Sequence, residues 1–191
     1  MNRIAKSKGD VGEKAFLSWV GELRVKHAMA IKVEKRQVPM VRIWSAGSPA
    51  GKDVWVPAAK SGADFFGSSG GQHFEVEVKT TRQPRLNLRD AFSSRKKDRT
   101  TGKSAVSEPY RQLKELQDWE AVGMAYSYVF WVIDEPGKFR TYLVPLKHWM
   151  DAIEDQAKSV NEEWAKKHCV KRKWETGWEY GGERFKKKEM A

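Results

Sequence analysis

Apolar positions along the chain first predict a helix and then a series of strands. Phe16, Trp19, Val20 and Leu23 follow the i, i+3, i+4, i+7 spacing of one helix face, which predicts a helix over residues 9–26. Strands are predicted at 38–44, 63–66, 73–79, 126–134 and 139–145, with a short candidate at 54–59. This order of elements indicates an α/β fold, with the first helix on one side of a sheet and a later helix near it.

The strand predicted at 73–79 has the most regular alternation in the chain. Its period of two places Glu75, Glu77 and Lys79 on one face and the apolar residues on the other. The sequence Ser-Ser-Gly-Gly-Gln at 68–72 predicts a turn that joins this strand to the preceding one.

The middle of the chain is predicted to contain a long loop and then a second helix. Residues 80–108 are polar and basic, with at most one helical turn, and loops of this length are usually functional or disordered. A helix is predicted over 109–121, with Gln112 able to share its inner side with Leu116. The next two strands form a hairpin across a Pro-Gly turn.

The C-terminal part of the chain is predicted to be a helix followed by a tail. Residues 146–168 predict one helix, and the last twenty residues show no periodicity. We therefore divide the chain into a domain at 1–150, which includes the basic loop at 82–108, and a C-terminal helix and basic, Trp-rich tail at 151–191.

Positive charge is concentrated in two segments. The net charge is +11, of which residues 82–103 contribute +6 and residues 166–191 contribute +5, so the remainder is neutral. Such segments indicate contact with a polyanion, most simply nucleic acid, although a basic surface can also serve only solubility. The basic residues predicted to contact DNA are Arg82, Arg85, Arg89, Arg95, Lys96, Lys97, Arg99, Lys103, Lys171, Arg172 and Lys173.

The sequence also favours a particular compartment. Cys169 is the only cysteine, which excludes an intrachain disulfide and a Cys-rich zinc site. The first residues lack the apolar stretch of a signal peptide, and no run approaches the ~20 apolar residues of a membrane span. We expect a cytoplasmic protein without a membrane partner, nucleoid-associated or in the cytoplasm of a phage-infected host.

Two carboxylates and an ammonium stand out as candidate chemistry. Asp64 precedes Glu77 by a gap of twelve residues, and the predicted hairpin brings them to one end of a strand pair. Mg²⁺ binds few protein carboxylates and keeps sites for water and substrate oxygens, so these residues and the carbonyl of Val78 can hold it. Lys79 returns to the face of Glu77 and can orient the attacking water. A salt-bridged polar strand face is the alternative.

In these residues the sequence resembles the PD-(D/E)XK nuclease superfamily, and within it archaeal-type Holliday-junction resolvases, with RecU-type resolvases next. The resemblance covers residues 6–146. It is carried by Lys8-Gly9 followed by Glu13, by Arg42, by Ser45-Ala46-Gly47-Ser48, by Asp64, by Glu77-Val78-Lys79 and by Gln112. The sequence departs from the pattern in having Ala63 before Asp64 and a longer stretch after the serine loop. Asp53 competes as the metal aspartate. However, the 23 residues between Asp53 and Glu77 are too many for a tight hairpin.

The resemblance implies a restriction-endonuclease-like core, a central mixed β-sheet flanked by helices. It implies that Glu13 joins the Mg²⁺ ligands, with Mn²⁺ able to substitute, and that Ser45 and Gln112 lie near the scissile phosphate. Lys8, Arg42 and Ser48 are then further DNA contacts. Four-way (Holliday) junctions are the implied substrate, and a twofold homodimer is the simplest way to cut two equivalent strands.

Several alternatives stay open at this point. Ser45 and Ser48 can be ordinary loop residues, and Gln112 a solvated helix residue. A related nuclease acting on flaps, replication-repair intermediates or duplex DNA fits the same motif, and so does a non-catalytic DNA-binding protein. The tryptophans of the tail can stack on bases or pack against protein.

Overall fold

The computed structural model describes residues 3–37, 40–43, 54–57, 63–97, 104–123, 125–136, 138–173, 177–180 and 183–185. The helices in these ranges are α1 (Arg3–His27), α2 (Leu88–Phe92), α3 (Arg111–Ala121), α4 (Leu146–Glu154) and α5 (Glu162–His168). The strands are β1 (Ile31–Lys35), β2 (Met40–Ile43), β3 (Val54–Pro57), β4 (Phe65–Ser69), β5 (Gln72–Thr81), β6 (Arg85–Asn87), β7 (Ser94–Lys97), β8 (Ser104–Glu108), β9 (Tyr126–Glu135), β10 (Lys138–Pro145), β11 (Ser159–Asn161), β12 (Lys171–Lys173), β13 (Gly177–Tyr180) and β14 (Glu183–Phe185).

A five-stranded sheet with the order β1-β4-β5-β9-β10 forms the centre of the molecule. The central pair β5 and β9 is parallel, and the other neighbours are antiparallel. Helices pack on both faces of this sheet. The predicted α/β fold with a central mixed sheet flanked by helices is therefore confirmed.

The two faces of the sheet carry separate apolar clusters. On one face Phe16 and Val20 of α1 pack against Val76 of β5 and its neighbours. On the other face Leu113 and Leu116 of α3 pack with α2, α4 and α5. The expectation that α1 lies near the helix of Gln112 was wrong, because the alternation of side chains along β5 and β9 gives each helix its own apolar face.

Helix α1 approaches the sheet closely at Gly12. A Cβ atom at this position would lie 2.3 Å from Thr80 Oγ1 and 2.8 Å from Val78 Cγ1. The missing side chain therefore lets the helix backbone lie directly on β5, which offsets the entropic cost of a glycine inside a helix.

Strands β4 and β5 are joined by a tighter turn than the sequence predicted. Gly70 and Gly71 have φ angles of 59° and 84°, which glycine adopts without steric cost. The turn consists of these two residues, so β4 continues to Ser69 and β5 begins at Gln72. Short hairpin loops with positive φ match the twist of the strands that they join.

The segment predicted to be one long loop at 80–108 is folded in most of its length. It contains β6, α2, β7 and β8, and Leu86, Leu88 and Phe92 are fully buried. The prediction was wrong because three isolated apolar residues in a basic segment show no period. They are buried by elements that come later in the chain, chiefly β11 and α4.

The single helix predicted at 146–168 is interrupted. Helix α4 ends at Glu154, Gln156 adopts a left-handed φ of 58°, and β11 pairs with β6 so that Val160 lies opposite Leu86. The side chain of Asn161 then caps α5 by accepting from Trp164 N. The domain boundary placed at residue 150 falls inside α4, and Ala165 of α5 belongs to the buried core.

The edge strand β1 was not predicted, although its apolar residues Ile31 and Val33 alternate with charged ones. The strands predicted at 38–44 and 54–59 are present as β2 and β3. Within the residues that the structure describes, they pair with each other and not with the central sheet. The tail, which showed no periodicity, contains the short strands β12, β13 and β14. Among the described helices, none is long and apolar enough to cross a membrane.

Candidate functional site

The candidate site lies where β4 begins beside the middle of β5. Phe65 is opposite Val76 in the ladder, so Asp64, one residue earlier, comes opposite Glu77. The backbone N–H of Val78 donates to Asp64 Oδ2 at 2.8 Å. The two carboxylates separated by twelve residues are thus brought to neighbouring strands, as the hairpin prediction required.

The carbonyl of Val78 faces the same side of β5 as Asp64. In an extended strand the N–H and C=O of one residue point the same way, and the N–H of Val78 points to Asp64. The ladder between β4 and β5 ends at Phe65 and Val76, before it reaches this carbonyl. An oxygen acceptor therefore lies next to the aspartate at the end of β4.

Glu77, Lys79 and Gln112 form a closed hydrogen-bonded triangle. Glu77 is only 2% exposed, and its Oε1 accepts from Lys79 Nζ at 2.8 Å and from Gln112 Nε2. Lys79 Nζ also donates to Gln112 Oε1 at 2.7 Å. Strand alternation places the first two residues on one face, and the first turn of α3 places the glutamine over them.

Lys79 has an aromatic neighbour that sequence reasoning missed. Its Nζ lies 5.2 Å from the ring centroid of Phe92, at the end of α2, which is within the range of a cation–π contact. Phe92 in turn packs edge-on against Trp149 of α4. Phe92, from the segment at 80–108 that was predicted to be a loop, therefore lies beside the ammonium of Lys79.

Glu13 of α1 contacts the edge strand β1 near the start of β4. Its carboxylate accepts from Lys35 Nζ, and Lys35 lies opposite Phe65, which follows Asp64. Glu13 belongs to α1 and therefore to the opposite face of the sheet from Glu77. Its role as a metal ligand remains a prediction.

A buried ion pair that the sequence did not reveal stands beside Asp64. Glu75 is 5% exposed, accepts from Arg36 Nη2 through Oε1, and accepts from Ala63 N at 3.4 Å through Oε2. The backbone N–H of Arg36 donates to the carbonyl of Asp64 at 2.9 Å. The available signal was a third charged residue on the face of β5 that carries Glu77.

The donor atoms at this site fit a hard divalent cation. Asp64, Glu77 and the carbonyl of Val78 offer only oxygen atoms, which Mg²⁺ prefers. Among the residues that the structure describes, no three His, Cys, Asp or Glu side chains form a cluster able to hold a metal ion. An ion held by Asp64, Glu77 and the carbonyl of Val78 would keep its other positions for water or substrate oxygens.

The other predicted site residues are distributed as follows. Ser45, Ser48, Arg99 and Lys103 lie outside the described residues, as does the rejected alternative Asp53. Lys8 belongs to α1, Arg42 to β2, Arg95, Lys96 and Lys97 to β7, and Lys171, Arg172 and Lys173 to β12. Arg82, Arg85 and Arg89 have exposed side chains, and Arg85 Nε donates to Ser159 Oγ at 2.8 Å. Along the chain, these three arginines follow the end of β5 that carries Lys79.

Comparisons with known proteins give structural likenesses but no match by sequence. No family model and no curated protein matches this sequence. The chain is similar in structure to Hjc of Archaeoglobus fulgidus, a Holliday junction resolvase from an archaeal hyperthermophile, at 16% sequence identity and a TM-score of 0.44. The similarity covers 83% of this chain and 94% of that one.

Proposed function

We propose that this protein is a Mg²⁺-dependent endonuclease that cuts branched DNA, with four-way junctions as its substrate. The observation that carries the proposal is the placement of Asp64 opposite Glu77, with Lys79 bonded to the buried glutamate. A polar strand face on the surface would not bury its carboxylate to 2% exposure. The resemblance of the motif to PD-(D/E)XK nucleases supports the same reaction.

Asp64, Glu77 and the carbonyl of Val78 would hold the metal, with Glu13 as a further ligand directly or through water. When bound, Mg²⁺ supplies Lewis-acid polarisation of the phosphate and stabilisation of the leaving oxygen, and Mn²⁺ can take its place. Glu77 and Gln112 fix the ammonium of Lys79 from two directions. A fixed ammonium can orient the attacking water and offset the negative charge of the phosphate.

The choice of substrate follows from the charge and from the motif. The exposed residues Arg82, Arg85 and Arg89 follow Lys79 closely in the sequence. They can contact the phosphates on either side of the cut. A four-way junction has pairs of equivalent strands, so paired cutting needs two active sites. A homodimer with twofold symmetry supplies them most simply, and we propose that state for the active enzyme.

The first experiment compares cleavage of a four-way junction, a 5′ flap and a linear duplex, each with Mg²⁺ and with EDTA. We expect Mg²⁺-dependent paired nicks in the junction at the highest rate. Faster cutting of the flap or the duplex would assign the same chemistry to a repair or restriction-like nuclease. Absence of nicking on all three substrates with Mg²⁺ and with Mn²⁺ would favour a non-catalytic DNA-binding protein.

Removing two exposed arginines should flatten the salt dependence of DNA binding. Each phosphate contact contributes about 0.9 to the slope of log K against log salt, so Arg82→Gln with Arg89→Gln should lower the slope by about 1.8. Fluorescence anisotropy of a labelled junction in EDTA over a range of KCl concentrations measures it. Lys147→Gln, an exposed cation on α4, is the matched control. An unchanged slope in the double variant would exclude both arginines from the DNA interface.

A further inference from the structure

We propose that Glu75 and Arg36 form a positioning pair that fixes Asp64 for metal binding, an inference that rests on the function proposed above. Neither residue belongs to the motif that identified the site. They contact Ala63 and Asp64, the two residues that lead into β4. We call them positioning residues because they act through Asp64 rather than on the substrate.

The pair holds the backbone around Asp64, through the side chain of Glu75 at Ala63 and through the main chain of Arg36 at Asp64 itself. Glu75 Oε2 accepts from Ala63 N at 3.4 Å, and Arg36 N donates to Asp64 O at 2.9 Å. The side chain of Asp64 is held separately by Val78 N. With both the backbone and one carboxylate oxygen of Asp64 fixed, the direction of its second oxygen is determined as well.

Arg36 links this backbone anchor to four elements of the fold. Its guanidinium bonds Glu75 of β5 and lies 5.4 Å from the ring of Phe66 and 5.7 Å from the ring of Trp119. These partners belong to β5, β4 and α3, and Arg36 directly follows β1. A planar guanidinium between two rings and a carboxylate has few alternative positions.

The electrostatics of the pair indicate that neither member is dispensable. Glu75 is 5% exposed, and its two oxygens accept from the Arg36 guanidinium and from the backbone N–H of Ala63. A buried charge is tolerated when it is paired and hydrogen-bonded. Removing one partner leaves the other as an uncompensated buried charge, which destabilises the fold.

The test measures Mn²⁺ binding to the full chain without DNA, by electron paramagnetic resonance of the free ion. Glu75→Gln keeps the size of the side chain and one oxygen acceptor but removes the charge. Partners of metal ligands typically change metal affinity 10- to 100-fold, so we expect the dissociation constant for Mn²⁺ to rise by about that factor. A role in stability alone would lower the melting temperature and leave the Mn²⁺ dissociation constant unchanged.

Glu120→Gln is the matched control. Burial raises the pKa of Glu120, and its Oε1 accepts from the backbone N–H of Ser127 at 2.7 Å, far along α3 from Gln112. We expect wild-type Mn²⁺ affinity in this variant. An equal loss of affinity in both variants would overturn the proposal, because the effect would then follow from any lost buried carboxylate.

The remaining outcomes separate this inference from the proposed function. If the wild-type protein binds Mn²⁺ and cleaves DNA while Glu75→Gln binds Mn²⁺ equally well, the positioning pair is refuted and the nuclease stands. If the wild-type protein neither binds Mn²⁺ nor cleaves, the proposed function itself fails. If circular dichroism shows that Glu75→Gln is unfolded, Arg36→Lys decides, since lysine keeps the charge but lacks the planar fork. A folded Arg36→Lys variant with wild-type Mn²⁺ affinity would also overturn the proposal.

Discussion

Replacing Asp64 by Asn is expected to reduce the cleavage rate about a thousandfold, while junction binding in EDTA stays within about twofold of wild type. A metal ion contributes several kcal/mol to such a reaction, and each tenfold in rate corresponds to about 1.4 kcal/mol. Asparagine keeps the size of the side chain and an oxygen that can accept from Val78 N. The backbone of β4 and β5 should therefore remain in place, and the charge is what is lost.

Single-turnover cleavage of a labelled four-way junction measures this effect, with anisotropy for binding. Asp118→Asn, an exposed carboxylate on α3, provides the same chemical change away from the site and should cut at the wild-type rate. Wild-type cleavage by the Asp64→Asn variant would show that the site has been placed wrongly. Rate loss with an equal loss of binding would point to misfolding rather than to catalysis.

Replacing Phe92 by Ala is expected to lower the free energy of unfolding by about 3–5 kcal/mol, the usual cost of emptying a buried phenylalanine site. Phe92 is 0% exposed and packs edge-on against Trp149, with ring centroids 5.3 Å apart. A loop residue would not produce such a loss. The variant therefore tests whether residues 85–92 belong to the folded body of the protein.

Urea denaturation followed by tryptophan fluorescence gives the free energy of unfolding. Phe139→Ala is the matched control, because Phe139 on β10 is 54% exposed and its removal should cost no more than about 0.5 kcal/mol. Equal effects of the two substitutions would contradict the burial of Phe92. Since Phe92 also contacts Lys79, the Phe92→Ala protein that remains folded should cleave more slowly as well.

The parts of the site on β5 were predictable from the sequence, because strand alternation is a local property. The period of two placed Glu77 and Lys79 on one face, and the twelve-residue gap placed Asp64 within reach across a hairpin. The contact of Gln112 with both residues agrees with its predicted place on the inner side of its helix.

Other parts depend on packing between distant segments, which a local pattern does not contain. Alternation shows that β5 has two faces, but it does not say which helix covers each face. Leu86 and Phe92 gave no period of their own, and each packs with a residue more than fifty positions later, Leu86 with Val160 and Phe92 with Trp149. Glu75 was visible on the polar face, whereas its partner Arg36 follows a strand that was not predicted at all.

The pairing of β6 with β11 has a consequence for the order in which the protein folds during synthesis. Arg85 and Ser159 bond across a separation of 74 residues, so this ladder cannot form until the ribosome has passed β11. Contacts between such distant segments form late because closing a long loop is entropically costly. From Thr81, the end of β5, to Asn161, the end of β11, synthesis at about 5–20 residues per second takes roughly 4–16 s. Strands β4 and β5, which carry the carboxylates, therefore exist on the nascent chain before the cluster that buries Leu86 is complete.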